Sequence, residues 1–216
     1  MATMQQACFT RVRAAGRRAL MAAGRGPAAA LAVAAGLTVP AAAQCDPAEI
    51  FAPQVQYGAG DDAYSVAVGD LNGDGDLDVV TANEDSDNVS VLLNNGDGTL
   101  AEQVAYAAGD RPRSVAIGDL DGDGDADLVT ANLNSDDVSV LLNNGDGTFV
   151  AGGSFGAGDG AQSVAIADLD GDGDLDLAVA NENSSNLSSL LNNGDGTFNG
   201  DATFFVGRRP SAVAAG

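Results

Sequence analysis

The stretch Asp119-Leu120-Asp121-Gly122-Asp123-Gly124-Asp125-Ala126-Asp127 has an oxygen-bearing side chain at every second position and two glycines between them. The same nine-residue pattern begins at Asp70 and at Asp168, each time at an interval of 49 residues. A loop that wraps Ca²⁺ needs about six to eight oxygen ligands, and glycines permit the positive φ angles of so tight a wrap. The pattern therefore predicts a calcium-binding loop that occurs three times.

Three copies in register favour a metal site over a set of simple turns. Asp-Gly clusters also form turns, but each copy brings four or five carboxylates together, and these would repel one another without a cation. Oxygen-only donors favour Ca²⁺ over zinc or copper, and the number of carboxylates disfavours Mg²⁺. An EF-hand is excluded because position 12 of the loop is Thr81, Thr130 or Val179 and not a glutamate.

Each loop offers its candidate ligands at alternate positions. Positions 1, 3, 5 and 9 supply side-chain oxygens, and position 7 supplies its backbone carbonyl, with its own side chain as an additional donor. We expect one Ca²⁺ per repeat, three in this chain. The candidate ligands are Asp70, Asn72, Asp74, Asp76, Asp78, Asp119, Asp121, Asp123, Asp125, Asp127, Asp168, Asp170, Asp172, Asp174 and Asp176.

Residues 1–43 have the composition of a secretory signal peptide. They contain no acidic residue and five arginines, followed by an apolar run from Pro27 to Val39 and by Ala41-Ala42-Ala43 before Gln44. This order of basic start, apolar run and small-residue cleavage site is typical of exported proteins. The apolar run is shorter than the ~20 residues of a membrane span. We expect a secreted or cell-surface protein, with the periplasm as an alternative, and either general or twin-arginine export.

The chain after the leader is strongly acidic. It keeps four arginines against 31 acidic residues, a net charge of −27, and it has no lysine or histidine. Such a chain repels nucleic acid and anionic membranes and attracts cations. The usual histidine or lysine general base is absent from this sequence, and the paired carboxylates are better explained as metal ligands, so we expect a protein that is not an enzyme. Cys45 alone cannot form an internal disulfide.

The segments around the loops repeat as β-strands. Short apolar and β-branched runs, separated by Gly, Asn and Asp clusters, predict antiparallel strands at residues 65–69, 77–82, 88–93 and 100–106 of the first copy. Four-stranded units with a period of about 40–50 residues are typical of β-propeller blades. The predicted fold is all-β, with about three and a half blades. The predicted boundaries are 1–43 for the signal peptide, 44–60 for an N-terminal outer strand, 61–109, 110–158 and 159–207 for three repeats, and 208–216 for the start of a truncated fourth.

Two further motifs leave alternatives open. Asn94-Asn95-Gly96-Asp97-Gly98-Thr99 recurs from residues 143 and 192, and it is either a second metal site or, as we favour, a hairpin turn whose Asn-Gly and Asp-Gly steps supply positive φ angles. Arginines at 111, 113, 208 and 209 precede an innermost strand. They either bind an anionic ligand or, as we favour, are solvated or form ion pairs between blades.

The motif Asp-x-[Asn/Asp]-Gly-Asp-Gly-Asp-x-Asp, followed by Asn-Asn-Gly-Asp-Gly-Thr-Phe, resembles the FG-GAP/VCBS repeat family. That family is known from the propeller of integrin α-subunits and from bacterial secreted proteins. Phe155-Gly156 and Tyr57-Gly58 resemble its Phe-Gly element, whereas its Gly-Ala-Pro element is not reproduced. The resemblance extends over about residues 51–216. It implies a β-propeller, often seven-bladed, of which this chain is a fragment, with Ca²⁺ in the loop between the first two strands of a blade.

The function expected from this resemblance is that of a secreted, calcium-binding, non-catalytic scaffold for extracellular adhesion or protein binding. Its expected partners are Ca²⁺ and an extracellular protein or glycan, without nucleic acid and without membrane insertion after signal cleavage. The alternative is the propeller part of a secreted polysaccharide-degrading enzyme whose catalytic part is not in this chain.

Overall fold

The computed structural model describes residues 55–215, apart from the side chain of Asp201, and this part of the chain folds into β-strands and turns. None of its described segments forms a helix that could cross a membrane. The strands are β1 (Ala63–Gly69), β2 (Asp78–Asn83), β3 (Asn88–Leu92), β4 (Val104–Ala107), β5 (Pro112–Gly118), β6 (Asp127–Asn132), β7 (Asp137–Asn143), β8 (Phe149–Gly156), β9 (Ala161–Ala167), β10 (Asp176–Asn181), β11 (Asn186–Asn192) and β12 (Phe198–Phe205).

The strands form three four-stranded antiparallel sheets in simple sequence order. These sheets are β1-β2-β3-β4, β5-β6-β7-β8 and β9-β10-β11-β12. Each sheet corresponds to one copy of the 49-residue repeat, because short hairpins connect neighbouring strands within it. This arrangement is that of propeller blades, and the predicted all-β fold built from four-stranded antiparallel blades is confirmed.

The second strand of the second and of the third blade is buried along its whole length. Every residue of β6 and of β10 is buried. Their sequences, Asp-Leu-Val-Thr-Ala-Asn and Asp-Leu-Ala-Val-Ala-Asn, accordingly lack the alternation of apolar and polar residues that a strand with one solvent-exposed face would show. These strands position the preceding loop, which ends at their first residue.

The hydrophobic core lies at the junctions between blades. One cluster joins Val80 and Val89 of the first blade to Val115 of the second. Another cluster joins Val140 of the second blade to Val164 of the third. Because these contacts cross from sheet to sheet, the stacking of the blades is driven mainly by burial of apolar surface.

The outer strand of the first blade differs from the prediction. A strand was expected at residues 100–106, but β4 spans only Val104–Ala107, whereas β8 runs over the full corresponding length, Phe149–Gly156. The register of β7 and β8 shifts between Val140 and Leu141, opposite Gly153, whose φ is 134°. The third blade has the equivalent register shift opposite Ala202 in a strand of the same length, Phe198–Phe205, so this shift does not require a glycine.

Several predictions at the two ends of the chain fall outside the described residues. The signal peptide, Cys45 and residues 51–54 of the expected outer strand belong to this group. Residues 55–57 are described and lie outside any strand. Near the other end, Val213 N–H contacts Ser163 Oγ at 3.3 Å, as Val164 N–H contacts Ser114 Oγ at 3.3 Å.

One pair of equivalent valines allows the junction to be tested within one molecule. Val115 is 7% exposed at the junction between the first and second blades, whereas Val66, at the same place in the first repeat, is 62% exposed. We expect Val115→Ala to lower the free energy of unfolding by about 1–3 kcal/mol, because it removes buried methyl groups and leaves a cavity. The matched Val66→Ala should change it by less than about 0.5 kcal/mol. Urea unfolding of both variants measures the difference, and equal losses would show that the junction does not stabilise the chain.

Candidate metal centre

The nine-residue loop between the first two strands of each blade, which begins at Asp70, Asp119 or Asp168 and is called the metal loop below, is shaped by its first aspartate. Asp119 Oδ1 accepts a hydrogen bond from Gly122 N–H at 2.9 Å, and its Oδ2 accepts one from Gly124 N–H at 3.0 Å. Both glycines have positive φ angles, 77° and 97°, which residues with a Cβ atom rarely adopt. The other two loops repeat these contacts. The Asp-x-x-Gly-x-Gly spacing is therefore what closes the loop.

The ninth position of each loop is a buried carboxylate that ties the loop to the sheet. Asp127 is the first residue of β6 and is 0% exposed. Its Oδ2 accepts a hydrogen bond from Leu120 N–H and its Oδ1 one from Asn143 N–H, both at 2.8 Å. Burial raises the pKa of Asp127 to about 6, and the two backbone donors offset part of that rise. Asp78 and Asp176 accept equivalent pairs of hydrogen bonds.

Three of the five candidate positions come together. Asp119, Asp121 and Asp127 each place one carboxylate oxygen within 4.8 Å of the others. The third loop forms the same group from positions 1, 3 and 9, namely Asp168, Asp170 and Asp176. The first loop has Asn72 at position 3, so an amide replaces one carboxylate there. Partial burial and the nearby carboxylates raise the pKa of Asp121, and the hydrogen bond from Asp123 N–H offsets part of that rise.

Positions 5 and 7 lie outside this group of three carboxylates. Asp123 Oδ1 accepts a hydrogen bond from Asp125 N–H at 2.9 Å, a local contact that shapes the loop. The Asp125 carboxylate lies against the turn after β7, because a Cβ atom built on Gly145 would be 2.6 Å from Asp125 Oδ2. Spacing in the sequence makes the five alternate positions look equivalent. In the fold, positions 5 and 7 have different surroundings from positions 1, 3 and 9.

The clustered carboxylates fit a calcium ion. Oxygens on opposite sides of a bound Ca²⁺ are about 4.6–5.2 Å apart, twice its usual Ca–O distance. The 4.8 Å limit within which the three carboxylate oxygens lie is compatible with that spacing. All donors are hard oxygens, which Ca²⁺ prefers and which zinc and copper do not. Carboxylates at positions 1, 3 and 9 would hold the ion, which would neutralise their charge.

The repeated Asn-Asn-Gly-Asp-Gly-Thr segment has the hydrogen bonding of a turn. Asn144 N–H donates to Thr148 O at 2.9 Å. Asp146 Oδ1 accepts hydrogen bonds from both Thr148 N–H and Thr148 Oγ1–H, and these bonds lower the pKa of Asp146. The carboxylate is thus engaged within its own turn, which supports the hairpin interpretation over a second metal site.

Sequence reasoning missed the role of the first asparagine in this turn. The Asn143 side-chain amide donates to carbonyl groups in two different metal loops, Leu71 O at 2.8 Å and Ala126 O at 2.9 Å. Asn192 makes the equivalent contacts in the next blade. The only signal in the sequence was that all three copies have asparagine at this position. Because a hairpin turn already explains an asparagine there, no further role was predicted.

The arginines form ion pairs between blades. Glu84, 2% exposed in the first blade, contacts Arg111 Nη2 and lies 2.9 Å from Arg113 Nη2, both of the second blade. Arg113 also donates to Gln162 Oε1 of the third blade at 3.0 Å and lies 5.0 Å from the centre of the Tyr64 ring. The inter-blade ion pair that the sequence favoured is therefore present. Arg209 forms the corresponding pair with Glu182.

These ion pairs lie at the opposite end of the sheets from the metal loops. Glu84 directly follows β2, and Arg111 directly precedes β5, whereas the metal loops connect the other ends of these antiparallel strands. The junction between the second and third blades has Leu133 and Gly160 at the equivalent positions. These two positions are therefore charged at the first junction and uncharged at the second, where Arg113 Nη1 instead lies 3.9 Å from Glu182 Oε2 of the third blade.

Comparison with known families gives one match. A family model described as an FG-GAP-like repeat matches residues 70–130, 119–179 and 168–216. Together these matches extend over more than half of the chain, and each begins at the first aspartate of a metal loop. No protein of curated function matches the sequence.

Solved structures with similar folds include two of different kinds. One is a lectin from Agrocybe aegerita, described as recognising non-reducing terminal N-acetylglucosamine, with 29% identity and a TM-score of 0.45 over 64% of this chain and 37% of that one. The other is a functionally unknown protein from Desulfotomaculum acetoxidans, with 19% identity and a TM-score of 0.54 over 68% of this chain and 43% of that one. This chain thus spans less than half the length of either protein.

The ion pairs predict a pH-dependent contribution to stability. The hydrogen bond from Arg113, with the nearby charges of both arginines, holds the pKa of Glu84 below its ordinary value of 4.5 despite burial. A carboxyl whose pKa is lowered on folding stabilises the fold above its unfolded pKa, and this contribution is lost as the pH falls through the folded value. At pH 7 we expect Glu84→Gln to lower the free energy of unfolding by about 1.5–3 kcal/mol.

The measurement is urea unfolding of the wild type and the variant between pH 7 and pH 3. The difference in the free energy of unfolding between the two proteins should decrease as the pH falls below 4.5, the ordinary pKa of a glutamate. Glu102→Gln removes the same charge from an exposed position and serves as the control. A difference of constant size over the whole pH range would contradict an ionic role for Glu84.

Proposed function

Since this chain belongs to the FG-GAP-like repeat family, we propose that it is a secreted, calcium-stabilised β-propeller protein that serves as a non-catalytic scaffold for adhesion or protein binding. The observation that carries the calcium part of this proposal is the convergence of Asp119, Asp121 and Asp127, repeated by Asp168, Asp170 and Asp176. Three acidic side chains at one point are unfavourable by themselves and become favourable around a cation.

Calcium in these loops would have a structural role. The loop carboxylates also accept backbone hydrogen bonds that set the turn, so the bound ion and the loop conformation would stabilise each other. Extracellular calcium modules usually bind with dissociation constants of ~10⁻⁴–10⁻³ M, which suits an ion that is present constantly outside the cell. The leader-like composition of residues 1–43 supports this location.

The scaffold part of the proposal rests on how the sheets present their loops. Stacked sheets with buried junctions hold the connecting loops at fixed positions, and binding residues of such folds usually lie in those loops. The metal loops are near copies of one another, whereas the second residue of the innermost strand differs between blades, being Tyr64, Arg113 or Gln162. We would place partner recognition at this end of the sheets, where the blades differ and where Tyr64 is 50% exposed, with an extracellular protein or glycan as the partner.

Calcium removal tests the metal part directly. At 10 mM Ca²⁺, sites with dissociation constants of ~10⁻⁴–10⁻³ M would each add about 1.4–2.7 kcal/mol to the free energy of unfolding. We therefore expect the melting temperature to rise with Ca²⁺ and to fall with EGTA, while Mg²⁺ at the same concentration has a smaller effect. Calorimetry or circular dichroism measures the transition. A melting temperature that is the same with Ca²⁺ and with EGTA would refute a structural role for calcium.

A pair of single-charge variants locates the effect. Asp121→Asn removes a carboxylate from the cluster, and Asp146→Asn removes one from the exposed turn outside it. The first should reduce the stabilisation by Ca²⁺ by part of one site's share, since the first loop has asparagine at this position, whereas the second should leave it intact. Equal responses of the two variants would indicate diffuse attraction of Ca²⁺ to an acidic surface.

Binding without turnover is the expected behaviour of a scaffold. The chain would be immobilised and probed with arrays of extracellular glycans and with candidate surface proteins, in Ca²⁺ and in EGTA. We expect retention of a partner that depends on Ca²⁺, because the ion orders the loops, and no release of reducing ends from any polysaccharide. Release of sugar by the purified chain would instead favour the polysaccharide-degrading alternative.

A further inference from the structure

One asparagine in each of the second and third blades connects two metal loops. Asn143 donates from its side-chain amide to Ala126 O of its own blade and to Leu71 O of the preceding blade. Its backbone N–H donates to Asp127 Oδ1, and its Oδ1 accepts Gly145 N–H at 3.0 Å. The side chain is only 5% exposed, so water competes little for these bonds. Asn192 repeats the arrangement with Leu120 and Leu175 as acceptors.

The carbonyl group reached in the preceding blade is part of the metal loop. Leu71 occupies position 2, between the candidate ligands Asp70 and Asn72. Its N–H donates to Asp78 Oδ2 at 2.9 Å. The peptide groups on both sides of Leu71 are thus fixed, one by a carboxylate of its own loop and the other by the asparagine of the next blade. A displacement of this segment would move the ligands that flank it.

The side chain of the same leucine is covered by the next blade. Leu71 and its counterpart Leu120 are 2% and 1% exposed and belong to the apolar clusters that join adjacent blades. Leu169, at the same position of the third loop, is 45% exposed, and the described chain places no complete blade beyond it. Burial of position 2 therefore depends on the presence of a following blade.

The glycine of the neighbouring turn provides a third contact. A Cβ atom built on Gly147 would lie 2.9 Å from Leu93 Cδ2 and 3.5 Å from the Cβ atom of Asn72, the position-3 ligand of the preceding loop. Gly196 is in the same relation to Leu142 and Asp121. The turn of one blade therefore lies directly against the metal loop of the blade before it.

We propose that Asn143 and Asn192 are positioning residues for the metal loop of the preceding blade, so that the first and second calcium sites are each completed by the blade that follows. This inference rests on the calcium binding proposed above. It predicts that ion binding in one loop and docking of the next blade stabilise each other, because both fix the same Leu71 or Leu120 peptide. Asn94 is the internal contrast, since its amide donates to Leu77 O of its own loop and to no preceding loop among the described residues.

The experiment is amide hydrogen exchange of this chain, followed by mass spectrometry of peptides that contain Leu71, Leu120 or Leu169, with Ca²⁺ and with EGTA. Asn143→Asp keeps the acceptor for Gly145 N–H, removes both amide donors and sets a carboxylate against two carbonyl groups. We expect it to accelerate exchange of the first-loop peptide about tenfold, the factor that loss of one or two ordinary hydrogen bonds predicts. Asn192→Asp should do the same to the second-loop peptide.

Asn94→Asp is the matched control, because it adds the same charge at the same place in the repeat. It should leave the second-loop and third-loop peptides unchanged. Asn143→Ser, which adds no charge, is the second variant if Asn143→Asp does not fold, and it should accelerate the first-loop peptide in the same way. The effect therefore includes the loop one blade before the substitution, which a role confined to the asparagine's own blade would not produce.

The experiment distinguishes failure of the positioning role from failure of the proposed calcium binding. Acceleration only in the loop of the substituted blade, with the preceding loop unchanged, would overturn the positioning role. Absence of any calcium-dependent protection in the three wild-type loops would instead overturn the calcium binding on which the coupling depends. In that case the exchange measured in EGTA still decides whether Asn143 holds the preceding loop.

Discussion

The buried aspartate at the end of each metal loop is the contact on which the rest of the blade depends. Asp127 is withdrawn from water at the start of a fully buried strand, and it accepts one backbone hydrogen bond from the loop and one from the end of β7. These bonds fix where the loop begins and where the third strand ends. A buried carboxylate is unfavourable unless its charge is compensated. The sheet and the metal loop therefore both depend on compensation of the charge of this aspartate.

Adjacent blades contribute to one another's burial and to one another's metal loops. Each blade covers the apolar face of its neighbour, and the asparagine at the end of the third strand of the second and third blades donates to a carbonyl group of the preceding loop. Stability in such an array comes from interfaces between adjacent units more than from any single unit. The metal loops therefore belong to the junctions as much as to the sheets from which they extend.

Much of this architecture can be predicted from the sequence because the repeat has no insertions or deletions. The 49-residue period, the four strands of each copy and the aspartates of the loops all follow from local pattern. The inter-blade bond of Asn143 does not, because it joins residues 72 positions apart and a turn already explains the asparagine. Nor does the separation of Asp123 and Asp125 from the three clustered carboxylates, since spacing alone makes all five acids equivalent.

The difference between the charged contacts at successive junctions bears on how a chain of near-identical blades docks in the correct order. Blades of such similar sequence could dock out of order during folding or exchange between two molecules. Glu84 meets Arg111 and Arg113 only when the second blade follows the first. If the third blade took that place, Glu84 would face Gly160, and a buried carboxylate without its counter-charge is disfavoured by about 3–5 kcal/mol. The ion pairs at this end of the sheets thus give otherwise interchangeable copies a fixed order along the chain.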